Sequence, residues 1–409
     1  MRWNRGLSMA AVCLAAAGCG REAVTVGEPR ELATPAAPGS AEPNLTTGPD
    51  GRVYLSWVEP GPDSTHALRF AVLEDGRWSA PRTVAAGRGW FVNWADFPSL
   101  RVLPGGRMAA HWLQRSGAGR YAYDVRIAQS GDGGRSWGPG VVPHRDGTAS
   151  EHGFVALWPA EGDSVGAVWL DGRGYAGRAE GDAGAEMLLM SASVAADGGV
   201  GAERPVDARA CDCCQTAVAM TPRGPLVVYR DRSPGEVRDI HVVRRVGGRW
   251  SAPAPVHADG WVIAACPVNG PAVDAGADAG VAVAWFTAAQ GTQRVLVAFS
   301  GDAGESFGPP VRVDGGMPLG RVDVLRTEDG GALVSWLEAA GEKGAEVRVR
   351  FVGGDGRLGP PRVVAASSAE RASGFPHLAR AGRQLVLAWT VPGDPSTVHT
   401  AVAALAGTP

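Results

Sequence analysis

The sequence predicts an all-β protein, a β-propeller of seven four-stranded blades, with six blades as the alternative. Three observations predict it. Gly and Pro are abundant, at 59 and 30 residues, and Trp, at 14, outnumbers Phe and Tyr separately; many turns with regularly placed aromatics are an all-β signature. One pattern then recurs along the chain: a small or Pro start, a Gly-containing turn, and a short apolar run ending in an aromatic. Finally, each unit continues with a second run such as "ALRFAVL", "DVRIAQS", "DIHVVRR" or "RVLVAFS", a Gly-rich turn and an outer run such as "RWSAPRTV". That gives four short strands per unit, the content of a propeller blade.

The recurring runs end at Trp57, Trp112, Trp169, Tyr229, Trp285, Trp336 and Trp389, in steps of 55, 57, 60, 56, 51 and 53 residues. Self-similarity at this period means a propeller or a solenoid. The last unit ends at "STVHTAVAAL" without an outer strand. The stretch "AVTVGEPREL" (Ala23 to Leu32) is either that missing strand, closing the ring and removing the open edge, or a flexible tether. "ATPAAPGSAEP" (Ala33 to Pro43) reads as a linker. The expected division is a signal over 1–19, a tether or ring-closing strand plus linker over 20–42, and the propeller over 43–409.

The first nineteen residues stand apart. Arg2 and Arg5 form a positive start and Leu7 to Ala17 a short apolar stretch, too short to span a bilayer. It ends "LAAAGC", which resembles a bacterial lipoprotein signal. That resemblance implies lipidation at Cys19, which would become the mature N-terminus. The expected location is the bacterial cell envelope, exported and membrane-anchored, on the periplasmic side or the cell surface. A formal net charge of −3 with 20% charged residues gives no electrostatic footprint for nucleic acid. A monomer is expected.

Two turns carry more information. "SGDGGRSWG" (Ser130 to Gly138) and "SGDAGESFG" (Ser300 to Gly308) both fit S-x-D-x-G-x-S-[W/F]. Asp132 and Asp302 can bond amides inside the turn, while Gly133, Gly134 and Gly304 allow left-handed geometry. These turns resemble the Asp-box, or BNR repeat, of the sialidase-like β-propellers. The resemblance spans nearly the whole mature chain in architecture but stops short of the sialidase catalytic set. That family uses three arginines against a carboxylate, a Tyr–Glu nucleophile pair and an Asp acid/base. Its tyrosine comes late in the chain, whereas none here follows Tyr229, and the early Arg-Ile-Pro motif is missing. Sialidases also have six blades. A catalytic set is therefore not assigned, and the chain is expected not to be an enzyme; an exo-α-sialidase-like glycoside hydrolase is the alternative.

The chemistry-bearing residues fall on one side of each unit. The loops joining one unit to the next include "RGWFVNWADFPS", "RDGTASEHGF", "ARACDCCQT", "DGWVIAACPVNGP" and "ERASGFPHL". In a propeller such loops surround the mouth of the central channel, a common seat of function. Candidate binding residues on this face are Asp96, His152, Asp171, Arg173, Arg232, Asn269, Arg321 and His377. Asp171 and Arg173 in "VWLDGRGYAGR", and Asp231 and Arg232 in "VYRDRSPGEVRD", would suit an anionic or sugar ligand, or else brace adjacent blades. The expected ligand is a glycan, a small molecule or a protein.

Half of the six cysteines lie within "CDCC", at Cys211, Cys213 and Cys214, with Cys266 one unit later. Three readings stay open. Disulfides would join Cys266 to one member and the other two locally, though so short a loop strains the bond. A metal site would take copper or zinc, which soft thiolates favour, with His152 as a further ligand. A reactive thiol is the third. The leading expectation is a lipid-anchored propeller with a non-hydrolytic binding role through this face.

Overall fold

The computed structural model describes residues 24–178, 182 and 185–407. The expected signal and Cys19 lie outside the described residues. Seven antiparallel sheets follow one another along the chain, and no α-helix occurs among the described residues. The protein is a seven-bladed β-propeller.

Blade 1 runs from Ala41–Thr47 through Val53–Pro60 and Thr65–Glu74 to an outer strand in two pieces, Arg77–Trp78 and Arg82–Arg88. Blade 1 begins at Ala41, which pairs with Val58. Blade 2 has three regular strands, Ser99–Val102, Met108–Arg115 and Tyr123–Ser130; a lone bridge from Ile127 to Val141 stands in for its fourth. Blade 3 comprises His152–Pro159, Val165–Asp171, Met187–Val194 and Arg204–Ala210. Blade 4 comprises Ala217–Thr221, Gly224–Arg230 and Ile240–Val246, with two short outer pieces. Blade 5 spans Ala272 to Arg312 and blade 6 spans Pro318 to Ser368.

Blade 7 closes the ring. Its three C-terminal strands, His377–Ala381, Gln384–Val391 and Thr397–Ala406, are completed from the other end of the chain. Thr25–Val26 and Arg30–Leu32 both pair antiparallel with the last strand. Val24 and Leu32 are buried there. No blade is left with an open seam, the edge hazard that closure removes.

The repeated aromatic explains the wedge packing. In each blade it lies on the second strand, and it packs against the blade before it. Trp57 meets Val386 and Val398 of blade 7, and Trp169 meets Leu113 and Val125 of blade 2. Tyr229, Trp285, Trp336 and Trp389 repeat the arrangement at the next four junctions. Trp57, Trp169, Trp285 and Trp336 are fully buried, so each indole N–H needs an acceptor. Trp57, Trp169 and Trp336 find it in the carboxylate two residues on, Glu59, Asp171 and Glu338. Removing one such ring would cost about 3–5 kcal/mol.

The two S-x-D-x-G-x-S turns fold alike. Asp132 Oδ1 accepts from the amides of Arg135 and Ser136, and Asp302 Oδ1 from those of Glu305 and Ser306. These bonds lie at the turns between third and fourth strands, on the face opposite the loops that join blades. The sequence's chemistry-bearing residues gather on the joining face.

Candidate functional site

The loop from blade 3 to blade 4 carries the thiols. Cys211 and Cys214 are buried, Cys213 is half-buried, and Cys266, in the loop from blade 4 to blade 5, is exposed; all four are free thiols. Cys211 Sγ lies 3.5 Å from Cys214 Sγ and 3.9 Å from Cys213 Sγ. The Cys213 thiol also faces that of Cys266. Cys211, Cys213 and Cys214 form a compact group of sulfurs, and Cys213 links it to the exposed Cys266. None of these contacts approaches the roughly 2.05 Å of a disulfide bond.

Charge is distributed unevenly across that group. Arg238, in the loop between the second and third strands of blade 4, is buried. Its Nη1 lies 3.2 Å from Cys211 Sγ and 3.3 Å from Asp212 Oδ1, and its Nη2 donates to Glu236 at 3.0 Å. Arg230, fully buried, donates to the carbonyls of Arg238, Asn269 and Phe286. Burial opposes ionisation of Cys211. Hydrogen bonds from Cys213 and Cys214 and the charges of Arg238 and Arg230 outweigh it and hold this thiol well below the usual range. Donating to its neighbours pushes the Cys213 thiol far up; burial, then the bond to Cys211, pushes Cys214 up. Accepting from Cys213 draws Cys266 down.

A second group lies beside the first. The Tyr123 hydroxyl is 2.9 Å from both Asp96 Oδ2 and Glu151 Oε1. A phenol has one proton to donate, so the second contact requires a protonated carboxyl. Burial raises Asp96 to about 7 and Glu151 to about 8, which supplies that proton near neutrality. Asp96 Oδ1 accepts from the amide of Phe154 at 2.7 Å. Phe154 has φ 53°, at an irregularity in pairing at the start of the inner strand. Strain in a non-glycine residue there signals a position the surroundings over-determine.

His152 does not join the thiols. It groups with His144, Asp124, Asp146 and Asp171. The two imidazoles stack with centroids 3.7 Å apart and planes 6° apart. Arg173 pairs with Asp171 at 2.7 Å and with Glu203 at 2.6 Å, all within blade 3. Arg173 also lies 3.7 Å from Asp146, in the loop joining blades 2 and 3.

The remaining sequence candidates are occupied structurally. Asn269 Oδ1 accepts from the Arg321 amide at 2.7 Å. The Arg321 side chain lies over Trp94 and donates to Ser373 Oγ and to the carbonyls of Glu370 and Gly374. These two residues tie blades 5, 6 and 7 together. Arg232 is held by Glu236 in its own loop. His377 sits 3.4 Å from Asp323 and lines a channel cavity of about 410 Å³ with Ser99, Arg101, Gln215, Asp274 and Asp323. Sequence reasoning did not single out Tyr123, His144, Asp146 or Arg238. Arg238 and Asp146 did stand in stretches weighed for ligand binding, where Asp231, Arg232 and His152 carried the argument.

No family model matches the chain, and no curated protein matches it. Solved structures do. A protein of unknown function from Dyadobacter fermentans is 15% identical with a TM-score of 0.53, covering 94% of this chain and 99% of its own. An α-L-arabinanase from Penicillium chrysogenum, complexed with arabinobiose, is 13% identical with a TM-score of 0.47, covering 93% and 97%. An intramolecular trans-sialidase from Ruminococcus gnavus, in complex with oseltamivir carboxylate, is 12% identical with a TM-score of 0.44, covering 89% and 94%. At these identities the likeness to the first is one of fold alone, and the other two add nothing to it.

Proposed function

We propose that this chain is an exported, lipid-anchored propeller whose joining face binds a soft metal ion, Cu(I) or Zn(II), through Cys211, Cys213, Cys214 and Cys266. One observation carries the reading: the sulfur separations. Thiolates about 2.3 Å from a tetrahedral zinc stand roughly 3.8 Å apart, and the separations here are 3.5 and 3.9 Å. Copper(I) is equally suited by soft sulfur donors. Arg238 and Arg230 offset the negative charge that bound thiolates would bring into a buried loop. The role is non-hydrolytic, and the N-terminal signal supports attachment to a membrane through lipid on Cys19, in the periplasm or on the cell surface, as a monomer.

Metal content and thiol count of the mature domain, purified without chelator, test this. Near-stoichiometric copper or zinc, with thiols shielded until denaturation, supports it. No metal and no free thiol even in denaturant would mean disulfides, and the reading would fall.

A second reading, a sialidase-like glycoside hydrolase, is favoured by Tyr123 held between Glu151 and Asp96. Against it, Tyr123 and Asp96 are buried. Turnover of a sialoside by the native chain, lost in Tyr123→Phe, would favour it over the binding role.

A further inference from the structure

The buried His152 poses a problem that the thiols do not solve. Its Nδ1 lies 3.3 Å from the carbonyl oxygen of Tyr123. A carbonyl only accepts, so Nδ1 carries a proton, and in the neutral ring Nε2 then offers a lone pair. That Nε2 has no hydrogen-bond partner, and the residue is fully buried. Yet it faces two carboxylate oxygens, Asp146 Oδ1 at 3.3 Å and Asp171 Oδ1 at 3.6 Å. His152 Nε2 and the two carboxylate oxygens converge; Asp171 Oδ1 also accepts from the amide and Nε of Arg173, and Asp146 Oδ1 lies 3.1 Å from His144 Nδ1. The surroundings are acidic as well: Arg173 meets Asp146, Asp171 and Glu203, and Asp124 stands 3.8 Å from His152 Nδ1.

We propose that His152 Nε2, Asp146 and Asp171 form a second metal site, for a divalent ion of the zinc class, chemically distinct from the thiol site. Arms of about 2.0–2.2 Å to nitrogen and oxygen put tetrahedral ligands roughly 3.3–3.6 Å apart, which the two separations match. The three ligand atoms lie within 4.8 Å of one another. The outer contacts are those a metal site uses to fix its ligands. Tyr123 sets the His152 tautomer, Trp169 Nε1 and Arg173 hold Asp171 Oδ2, and Thr148 holds Asp146 Oδ2. His144 stacks on His152 and places its Nδ1 3.1 Å from Asp146 Oδ1. Three protein ligands leave a fourth position open.

Zinc is titrated by calorimetry into a variant with Cys211, Cys213, Cys214 and Cys266 changed to serine, so the outcome is independent of the thiol reading. One ion per chain is expected. Affinity should fall at least about 100-fold in His152→Asn and about tenfold or more in Asp146→Asn. If the serine variant does not fold, the native chain with its thiols alkylated takes its place. No uptake, or uptake unchanged by both substitutions, overturns the proposal. So does a His152 imidazole that holds a second proton at neutral pH with zinc in excess, because a proton would then resolve the convergence.

Discussion

Arg238 Nη1 lies 3.2 Å from Cys211 Sγ, inside the protein and across the loop junction of blade 4. A buried cation at that distance favours the thiolate.

Replacing Arg238 with Gln removes that charge. The Cys211 thiolate midpoint should rise by about one pH unit or more, read from thiolate absorbance against pH. The linkage has a sign. A thiol depressed below its unfolded value of about 8.5 stabilises the fold above that pH and loses the stabilisation as pH falls through the folded value. Arg238→Gln should shrink that loss. An unchanged midpoint would mean the cation does not govern the cluster.

Cys211 and Cys266 should not be equivalent as ligands. Cys211 is buried, close to two other sulfurs and to Arg238, whereas Cys266 is exposed at the edge of the group. Cys211→Ser is expected to abolish copper or zinc uptake, while Cys266→Ser weakens it and keeps the stoichiometry. Bound metal at a hundred times its dissociation constant adds about 2.7 kcal/mol, roughly 3 °C in melting temperature for a chain of this length. Identical melts with and without chelator would contradict bound metal.

The Asp96–Glu151 pair should make stability fall as pH rises from about 4 to about 8; the Cys211 thiol contributes the opposite slope, so the pair's share is read in a Cys211→Ser background. Asp96 and Glu151 have folded values of about 7 and about 8, against unfolded values near 3.9 and 4.3. Their protonated forms stabilise the fold fully below the unfolded values, and this is lost as pH rises through the folded ones. The slope is about 1.4 kcal/mol per pH unit per proton. The two share a phenol and titrate as a pair. Asp231, raised by burial to about 7, acts in the same direction, whereas Asp146, lowered to about 2, acts only below about pH 4. Denaturation curves across this range check the slope, and Asp96→Asn should flatten it. A curve that rises instead would rule the shared proton out.

Gly153 permits the carboxyl–phenol contact. A Cβ there would lie 1.9 Å from Asp96 Oδ2 and 2.8 Å from Tyr123 Cε2. Gly153→Ala should cost about 1–3 kcal/mol and also weaken the pH dependence above. A loss of stability with the pH slope intact would separate packing from proton sharing.

The fold was legible because its signal repeats. Seven aromatics at nearly even steps record seven wedge contacts, each the same physical event. The ring-closing strands Thr25–Val26 and Arg30–Leu32 were readable only as one of two alternatives, since their partner lies at the other end of the chain. The thiol loop stood out by composition alone. The histidine–carboxylate group did not, because His144 and Asp146 sit in an irregular loop and meet Asp171 only through the junction of blades 2 and 3. Asn269 and Arg321 misled in the opposite direction: polar residues at the starts of inner strands are also what ties neighbouring blades together. Tyr123 was hidden by its ordinary place at the head of a strand.

Because Thr25 pairs with Ala406 and Leu32 with Thr400, the ring is finished in time as well as in space. The first strands to be synthesised must wait, unpaired, for the last one. At about 5–20 residues per second that wait is roughly 20–80 s. Any chain that stops short leaves Val24 and Leu32 without cover and the last sheet without its outer edge. Closure of the ring therefore depends on both ends meeting, and a chain cut before Thr397 would leave that seam open.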